Sequence, residues 1–432
     1  MQKRYALWTY AAGAAAARTG DEMSGPALLL AGLAVTGSAA SAASLLAGIT
    51  IAAAVGGPLL GVLLDRSARP GRLLAAALAG YAAALAVVAL CLGTLPIALT
   101  VLIASGAGLL GPALGGGWTS QLQRVVAADG LPRANALDAM TFDAAGLLGP
   151  ALAGAVAHAA GARPSVVASA VLICLALPAA LALPAARRPD RAPSTTTMAA
   201  DLAAGFRVIA RSRPLARATA TSVISCAGAG MLVACAPLLG ERAFGGAGQG
   251  AFLLSALALS ALAANALLAR RPDRLRADTV LVASTVVLAV ALTLAATCRR
   301  AFVVAAAVLA GIGEGPQLTA LFAIRHRETP ERLRGQIFTT GASLKLTGFA
   351  VGAALAGPLA TWSLTGALLA AAGVHLLAGA AFTGWPGTAR VSRPSVTSRS
   401  AAGRARSLPS GTDRAPQPPT TRSRRLADES SH

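Results

Sequence analysis

Runs of about twenty apolar residues follow one another from near the start of the chain to position 385, and no other feature limits its possible folds so tightly. A run of that length matches the ~30 Å hydrocarbon core of a bilayer at ~1.5 Å rise per residue. No water satisfies peptide groups there, so each run must close its backbone hydrogen bonds internally, as a helix. Alanine and leucine dominate the runs and alternation of period two is scarce, which excludes an outer-membrane barrel. The supply of charge agrees. Only 12% of the 432 residues are charged, about half the ~25% of an ordinary soluble domain.

The expected fold is therefore an all-α membrane protein. Twelve transmembrane spans fit, at about 5–34, 40–64, 72–93, 96–119, 135–158, 164–185, 215–239, 249–269, 279–298, 301–323, 337–360 and 364–384. An alternative for the first span leaves 1–24 outside the membrane and draws two short helices from 25–64. Arginine sets the orientation. Lys3/Arg4, Arg66/Arg69/Arg72, Arg124/Arg133, the stretch from Arg187 to Arg217, Arg270 to Arg276 and Arg325 to Arg334 fall on one side. The alternate loops hold only Arg163, Arg242 and Arg299/Arg300. Positive loops stay cytoplasmic, so both termini are expected inside a cell (inner) membrane. The opening Met1-Gln2-Lys3-Arg4 before an apolar stretch is read as the start of an uncleaved first helix, since Arg18 interrupts that stretch.

The long polar stretch after span 6 divides the spans six and six: residues 1–186 as one half, 187–213 as a cytoplasmic linker, 214–386 as the second half. Residues 387–432 are rich in Arg, Ser, Thr and Pro, a composition that predicts a disordered cytoplasmic tail. The halves echo each other. Arg133-Ala134-Asn135-Ala136 leads to Gly149-Pro150-Ala151-Leu152-Ala153-Gly154, and Arg334-Gly335-Gln336-Ile337 leads to Gly352-Ala353-Ala354-Leu355-Ala356-Gly357. Two pseudo-repeated six-helix halves are one of the plans that transporters use.

The net charge of +20 does not make a nucleic-acid binder. The arginines lie between apolar runs or in the tail, and aromatic residues make up 4%, too few for a base-stacking platform. The five cysteines fall within apolar runs without metal spacing and read as packing residues. Four scattered histidines offer no metal site, and no Gly-x-x-x-x-Gly-Lys-Ser/Thr loop is present for ATP. Neither an enzyme nor a cofactor is expected. The partners are the lipid bilayer, a small-molecule substrate and protons, with the chain acting as a monomer.

Two segments carry a resemblance. Gly61-Val62-Leu63-Leu64-Asp65-Arg66-Ser67-Ala68-Arg69-Pro70-Gly71-Arg72 joins spans 2 and 3. It resembles the loop signature of the major facilitator superfamily, a glycine, an acidic residue and a basic run. The resemblance implies a gating loop of Gly61, Asp65, Arg66 and Arg72 that steadies the outward-facing state, partly by pairing with a helix end in the other half. A cytoplasmic turn obeying only the positive-inside rule is the alternative. Gly146 to Gly154 in span 5 is similar to the Gly-Pro helix of antiporters in that superfamily. Pro150 removes a backbone bond and bends the helix, while Gly149 and Gly154 allow tight packing. One departure is plain: residues 96–119 hold no charge, where drug–proton antiporters commonly carry an arginine.

Ionisable groups at membrane depth are costly and tend to line polar paths. Arg18, Asp21 and Glu22 lie in span 1, Arg18 and Glu22 four apart and so on one face of a continuous helix. Glu314 stands midway along span 10, between Gly313 and Gly315-Pro316. The resemblance implies that spans 1 and 10 line a central cavity. A carboxyl in low dielectric resists ionisation and can exchange a proton, which an antiporter needs; the alternative for Glu314 is a neutral carboxyl bonded to a broken helix. Asp143 in span 5 and Lys345 in span 11 occupy corresponding repeat positions, as a salt bridge of the moving interface or as a structural pair. Asp138 lies nearer the cytoplasmic end, and His158 reads as interfacial. These features point to proton-coupled efflux of a small organic molecule by alternating access. Uptake or facilitated diffusion of a metabolite, and a non-transporting scaffold or sensor, stay open.

Overall fold

The structure, a computed structural model, describes residues 2–185, 197–270 and 275–384; the tail expected from 387 on and the arginines at 187–191 lie outside them. Regular structure among the described residues is helical, apart from one isolated bridge between Leu92 and Leu95. Twelve long helices follow the apolar runs: α1 (Gln2–Thr36), α2 (Ala39–Arg66), α3 (Pro70–Cys91), α4 (Ile97–Pro112), α5 (Leu131–Ala160), α6 (Ala162–Leu175), α7 (Arg213–Phe244), α8 (Gln249–Arg270), α9 (Ala277–Ala295), α10 (Arg300–Glu328), α11 (Arg334–Trp362) and α12 (Leu364–Thr383). A short helix, Leu177–Leu181, prolongs α6 across the bilayer.

Eleven of these are long and apolar enough to cross a membrane. The exception is α1, whose Arg18, Asp21 and Glu22 dilute its apolar character. It is nevertheless one unbroken helix of 35 residues. Tyr10, Ala14, Ala17, Arg18, Met23, Ala27 and Leu28 along it are buried. It packs on α5, α6 and α2. The alternative of two short helices from 25–64 is therefore not what forms. Packing overrides the polar insertion because each charged group finds a place in the interior, described below.

Each half has its own core. One cluster runs from Tyr10 through Leu85 and Trp118 to Leu183; another joins Met231, Leu239, Leu292, Val303 and Leu368. Pro316 sits inside α10 without breaking it, so Glu314 belongs to a continuous helix and not to the broken one weighed above. In α4 the chain behaves differently. Pro112 cannot donate its backbone bond, and the next five residues, Ala113–Gly117, form a π-helical turn. Such turns offset a helix and re-aim the side chains after it, here Trp118 and Thr119.

The linker is not wholly irregular. Met198–Arg211 forms a helix started by Thr197, whose hydroxyl accepts from the Ala200 N–H. Its Ile209 packs with Leu215, Leu333 and Ile337. Periodicity in that stretch carries this helix, but a reading that looked for membrane-length runs passes over it.

Candidate functional site

The two halves meet first at the arginine-rich end, through α2 and α11. Gly57 and Gly61 lie against the backbone of Thr339 and Gln336, so close that a Cβ on either glycine would overlap that backbone. Gly116 of the π turn abuts Phe338 and Thr339 in the same way. The approach needs glycine because only a bare Cα lets two backbones come this near. It sets Asp65, the penultimate residue of α2, at the start of α11. The Gly335 and Gln336 N–H groups donate to its two carboxylate oxygens at 2.7 and 2.8 Å. These are orphan amides of a helix N-terminus, where a negative charge also meets the positive end of the helix dipole. A carboxylate from one half thus caps a helix of the other.

Around this cap lie further charges. Arg66 pairs with Asp201 of the linker helix at 2.7 Å, and the Gln336 amide donates to the Leu202 carbonyl at 3.0 Å. The linker helix thereby holds α2 with one side chain and α11 with its backbone. Arg124, beyond the π turn, lies within electrostatic reach of Asp65 and Glu331; burial pulls its guanidinium below the ordinary range, and the two carboxylates oppose that. Gly61, Asp65 and Arg66 are brought together at this joint, and Arg72, the fourth loop residue, is exposed with no ion pair within 4.0 Å among the described residues.

Deeper in the N-terminal half, Arg18 is bound through both terminal nitrogens, while its Nε is buried without a partner. Its guanidinium forms an ion pair with Asp138 of α5 at 2.9 Å, with side-chain exposures of 2% and 0%. It also donates to the Asp138 carbonyl at 3.0 Å, to the Thr119 hydroxyl at 2.9 Å and to the Thr141 hydroxyl. It stacks on the Phe142 ring, 3.7 Å from its centre. Asp138 receives two more donors, the Tyr10 hydroxyl at 2.8 Å and the Thr119 hydroxyl at 2.7 Å. The π turn explains Thr119: it aims this hydroxyl at α5. Helical spacing placed Arg18 beside Glu22, but its partner is Asp138. Asp138 takes one guanidinium nitrogen on both a carboxylate oxygen and its backbone carbonyl, across the interior from α1.

One turn along α1, Asp21 accepts from the Tyr81 hydroxyl of α3 at 2.7 Å, and Ser24 lies 3.1 Å from that same hydroxyl. Glu22 packs its Cβ where α5 presents Gly149. Gly149 is the close-packing glycine that span 5 required, whereas Gly154 is not. A Cβ at Gly154 would meet nothing within 4 Å, so its bareness serves no contact in this arrangement. Pro150 sits within an unbroken α5.

Between the halves lies a third group. Asp143 of α5 accepts from the Asn265 amide of α8 at 2.7 Å, and Asn265 accepts from the Thr319 hydroxyl of α10 at 2.7 Å. Glu314 and Lys345 are within electrostatic reach of Asp143 and of each other. Among the described residues Lys345 forms no ion pair within 4.0 Å, so the lysine and the aspartate do not touch. His158 is exposed at the far end of α5. No cluster of three metal-ligating side chains occurs among the described residues.

Several members of these networks escape a search for charge alone: Tyr10, Tyr81, Thr119, Thr141 and Asn265. Asn265 had a signal, as a lone amide within an apolar run. The hydroxyls had none.

Two six-helix halves with ionisable groups between them are a plan that membrane carriers use. The family model of the major facilitator superfamily matches residues 10–277, and the chain belongs to that family. Among solved structures it is similar to the human organic anion transporter MFSD10 (TETRAN), with 15% identity, a TM-score of 0.69 and coverage of 88% of this chain and 100% of that one. It is also similar to the proton:xylose symporter XylE bound to 6-bromo-6-deoxy-D-glucose, with 13% identity, a TM-score of 0.68 and coverage of 88% and 95%. No curated protein sequence matches it. The chain is thus an integral membrane protein with the fold of a secondary transporter.

Proposed function

We propose that this transporter exports a small organic molecule in exchange for protons, by alternating access of two halves, residues 1–186 and 214–386, about a central path. The observation that carries the reading is the cluster of Asp143, Glu314 and Lys345, two carboxyls and an ammonium contributed by α5, α10 and α11. Adding a proton to either carboxyl changes the charge that Lys345 meets, and so changes how well the halves fit in this arrangement. Asp21 and Glu22 give a second place for a proton in the N-terminal half, while Arg18, held by Asp138, is a positioning residue. The Asp65 cap closes the arginine-rich end, which the distribution of arginine assigns to the cytoplasm of the inner membrane together with both termini. The chain works as a monomer in this reading.

Counterflow in proteoliposomes, with a panel of compounds and with or without a pH gradient, tests it. Flux driven by the gradient is expected in the unsubstituted protein and is expected to fall sharply in Glu314→Gln and Asp21→Asn. Undiminished gradient-driven flux in both variants removes the proton assignment.

A further inference from the structure

The C-terminal half holds a guanidinium with nothing to neutralise it. Arg325, near the arginine-rich end of α10, is 2% exposed. Its Nε and Nη2 atoms are buried without a hydrogen-bond partner, and no carboxylate lies within 4.0 Å of it among the described residues. The head group lies flat on Gly341 of α11, where a Cβ would overlap it, with the Phe338 ring centre 6.0 Å away. Lys345 follows Gly341 by four residues, which places it one turn further along the same face of α11. Cys226 of α7 is within electrostatic reach of Arg325, Lys345 and Glu314, so the three helices bring these groups to one region.

A further unpaired donor lies on the same helix as Arg325. Gln317 lies eight residues before Arg325, two turns away on one face of α10. Its carbonyl oxygen accepts from Ser225 at 3.1 Å, which leaves its amide as a donor, buried and without a partner. The carboxylates of the interior are differently placed: Asp138 is held by Arg18, Asp21 by Tyr81 and Asp143 by Asn265. Unpaired donors and cations gather on α10 and α11, with Glu314 and Asp143 within electrostatic reach of Lys345.

An unpaired buried charge is costly unless something supplies its counter-charge. The planar fork of arginine matches the two oxygens of a carboxylate, and a lysine adds a point charge without geometric demand. We propose that Arg325 and Lys345 form an anion subsite that takes the carboxylate of an organic acid. This deepens the transport reading and rests on it, since it assigns the substrate class of the same central path.

The test is equilibrium binding to the purified full-length protein in lipid nanodiscs, read as the shift of its melting midpoint. The probes are benzoate, phenylacetate and butyrate against benzylamine, phenethylamine and butylamine, with phenyl phosphate as a further anion. The acids are expected to bind at least about tenfold more tightly than the matched amines, as a charge-assisted hydrogen bond predicts. Arg325→Met is expected to remove the preference, and Lys345→Met to weaken it. Arg325→Lys, which keeps the charge but not the fork, retains part of it. Gly341→Ala, which keeps both cations but displaces the guanidinium, is expected to lower acid affinity too. Should a variant melt before it can be titrated, the other three decide.

Amines binding as well as acids, no acid binding at all, or a preference that survives in Arg325→Met would each overturn the subsite. Tighter binding of phenyl phosphate than of every acid would overturn the carboxylate assignment. Gradient-driven flux is scored separately. Its absence with acid binding intact sinks the proton reading and leaves the subsite standing.

Discussion

Each half of this carrier buries an arginine, and the two are treated in opposite ways. Arg18 is bound by Asp138, Thr119 and Thr141 and lies on Phe142. Arg325 is as deeply buried, yet two of its three nitrogens have no partner. The first charge is neutralised from within the protein and belongs to its scaffold. The second has no carboxylate within 4.0 Å among the described residues. A repeated fold thus treats its two buried arginines unequally.

The largest effect expected from this contrast is on stability. Asp138→Ala strands a buried guanidinium and takes an acceptor from Tyr10 and Thr119, a loss of about 3–5 kcal/mol for breaking one side of a buried pair. The melting midpoint of the purified protein should fall steeply, and expression with it. Replacing both members, Arg18→Met with Asp138→Leu, should recover most of the loss, because neither charge then remains to be desolvated. Arg325→Met should behave in the opposite sense, neutral or stabilising in the absence of ligand. Were Arg325→Met to cost as much as Asp138→Ala, both arginines would be structural and the comparison would collapse.

The helix starts show the same inequality at smaller scale. The beginning of α11 receives Asp65 on two of its amides. Among the described residues the corresponding beginning of α5 receives no such carboxylate, and the amide oxygen of Asn135 there is buried without a partner. Asp65→Ala should therefore weaken the closed end by about 1–2 kcal/mol, the range of a lost N-terminal cap. A cysteine introduced at Thr340, which is 1% exposed, in a background lacking the native cysteines reports the opening. Its labelling by a maleimide should accelerate roughly tenfold in Asp65→Ala, and less in Asp65→Asn, since 1.4 kcal/mol corresponds to a factor of ten. Equal rates with and without Asp65 would mean that glycine-mediated backbone packing alone holds the end shut.

How much of this could be read beforehand follows from where each interaction originates. The spans were legible because hydrocarbon imposes both length and helicity on any run that crosses it. The meeting of Gly61 and Asp65 with the other half could be anticipated because the two keep a fixed spacing on one helix. Burial of Arg18, Asp21 and Glu22 could be suspected from their rarity, but their partners could not, because Asp138 lies 120 residues from Arg18. Helical spacing pointed to Glu22 instead, a local contact that a distant and better-shaped acceptor displaced. Thr119 depends on a π turn that Gly115, Gly116 and Gly117 permit but do not announce. Asp143 and Lys345 share a repeat position in the sequence, yet a shared repeat position does not imply contact, and the two do not pair within 4.0 Å. Arg325 looked like one more cytoplasmic arginine, since its rank in the sequence says nothing of its packing on Gly341.

The smallest effect concerns the surface. Arg66 and Asp201 are ion-paired at 2.7 Å, but their side chains are 37% and 26% exposed. Exposed pairs contribute roughly 0.2–1 kcal/mol, and salt screens them over ~3 Å at 1 M. Arg66→Ala should therefore raise the labelling rate at Thr340→Cys by no more than about fivefold at low salt, with the difference vanishing at high salt. Asp65→Ala should keep its effect at high salt, because its amide partners lie at the buried joint of two helices and counter-ions reach them poorly. This distinction separates the roles of adjacent residues. If salt abolished both effects, the joint would be a surface contact open to solvent. If salt abolished neither, the linker helix would be a latch in its own right, held by the Gln336 contact to Leu202 more than by its charges.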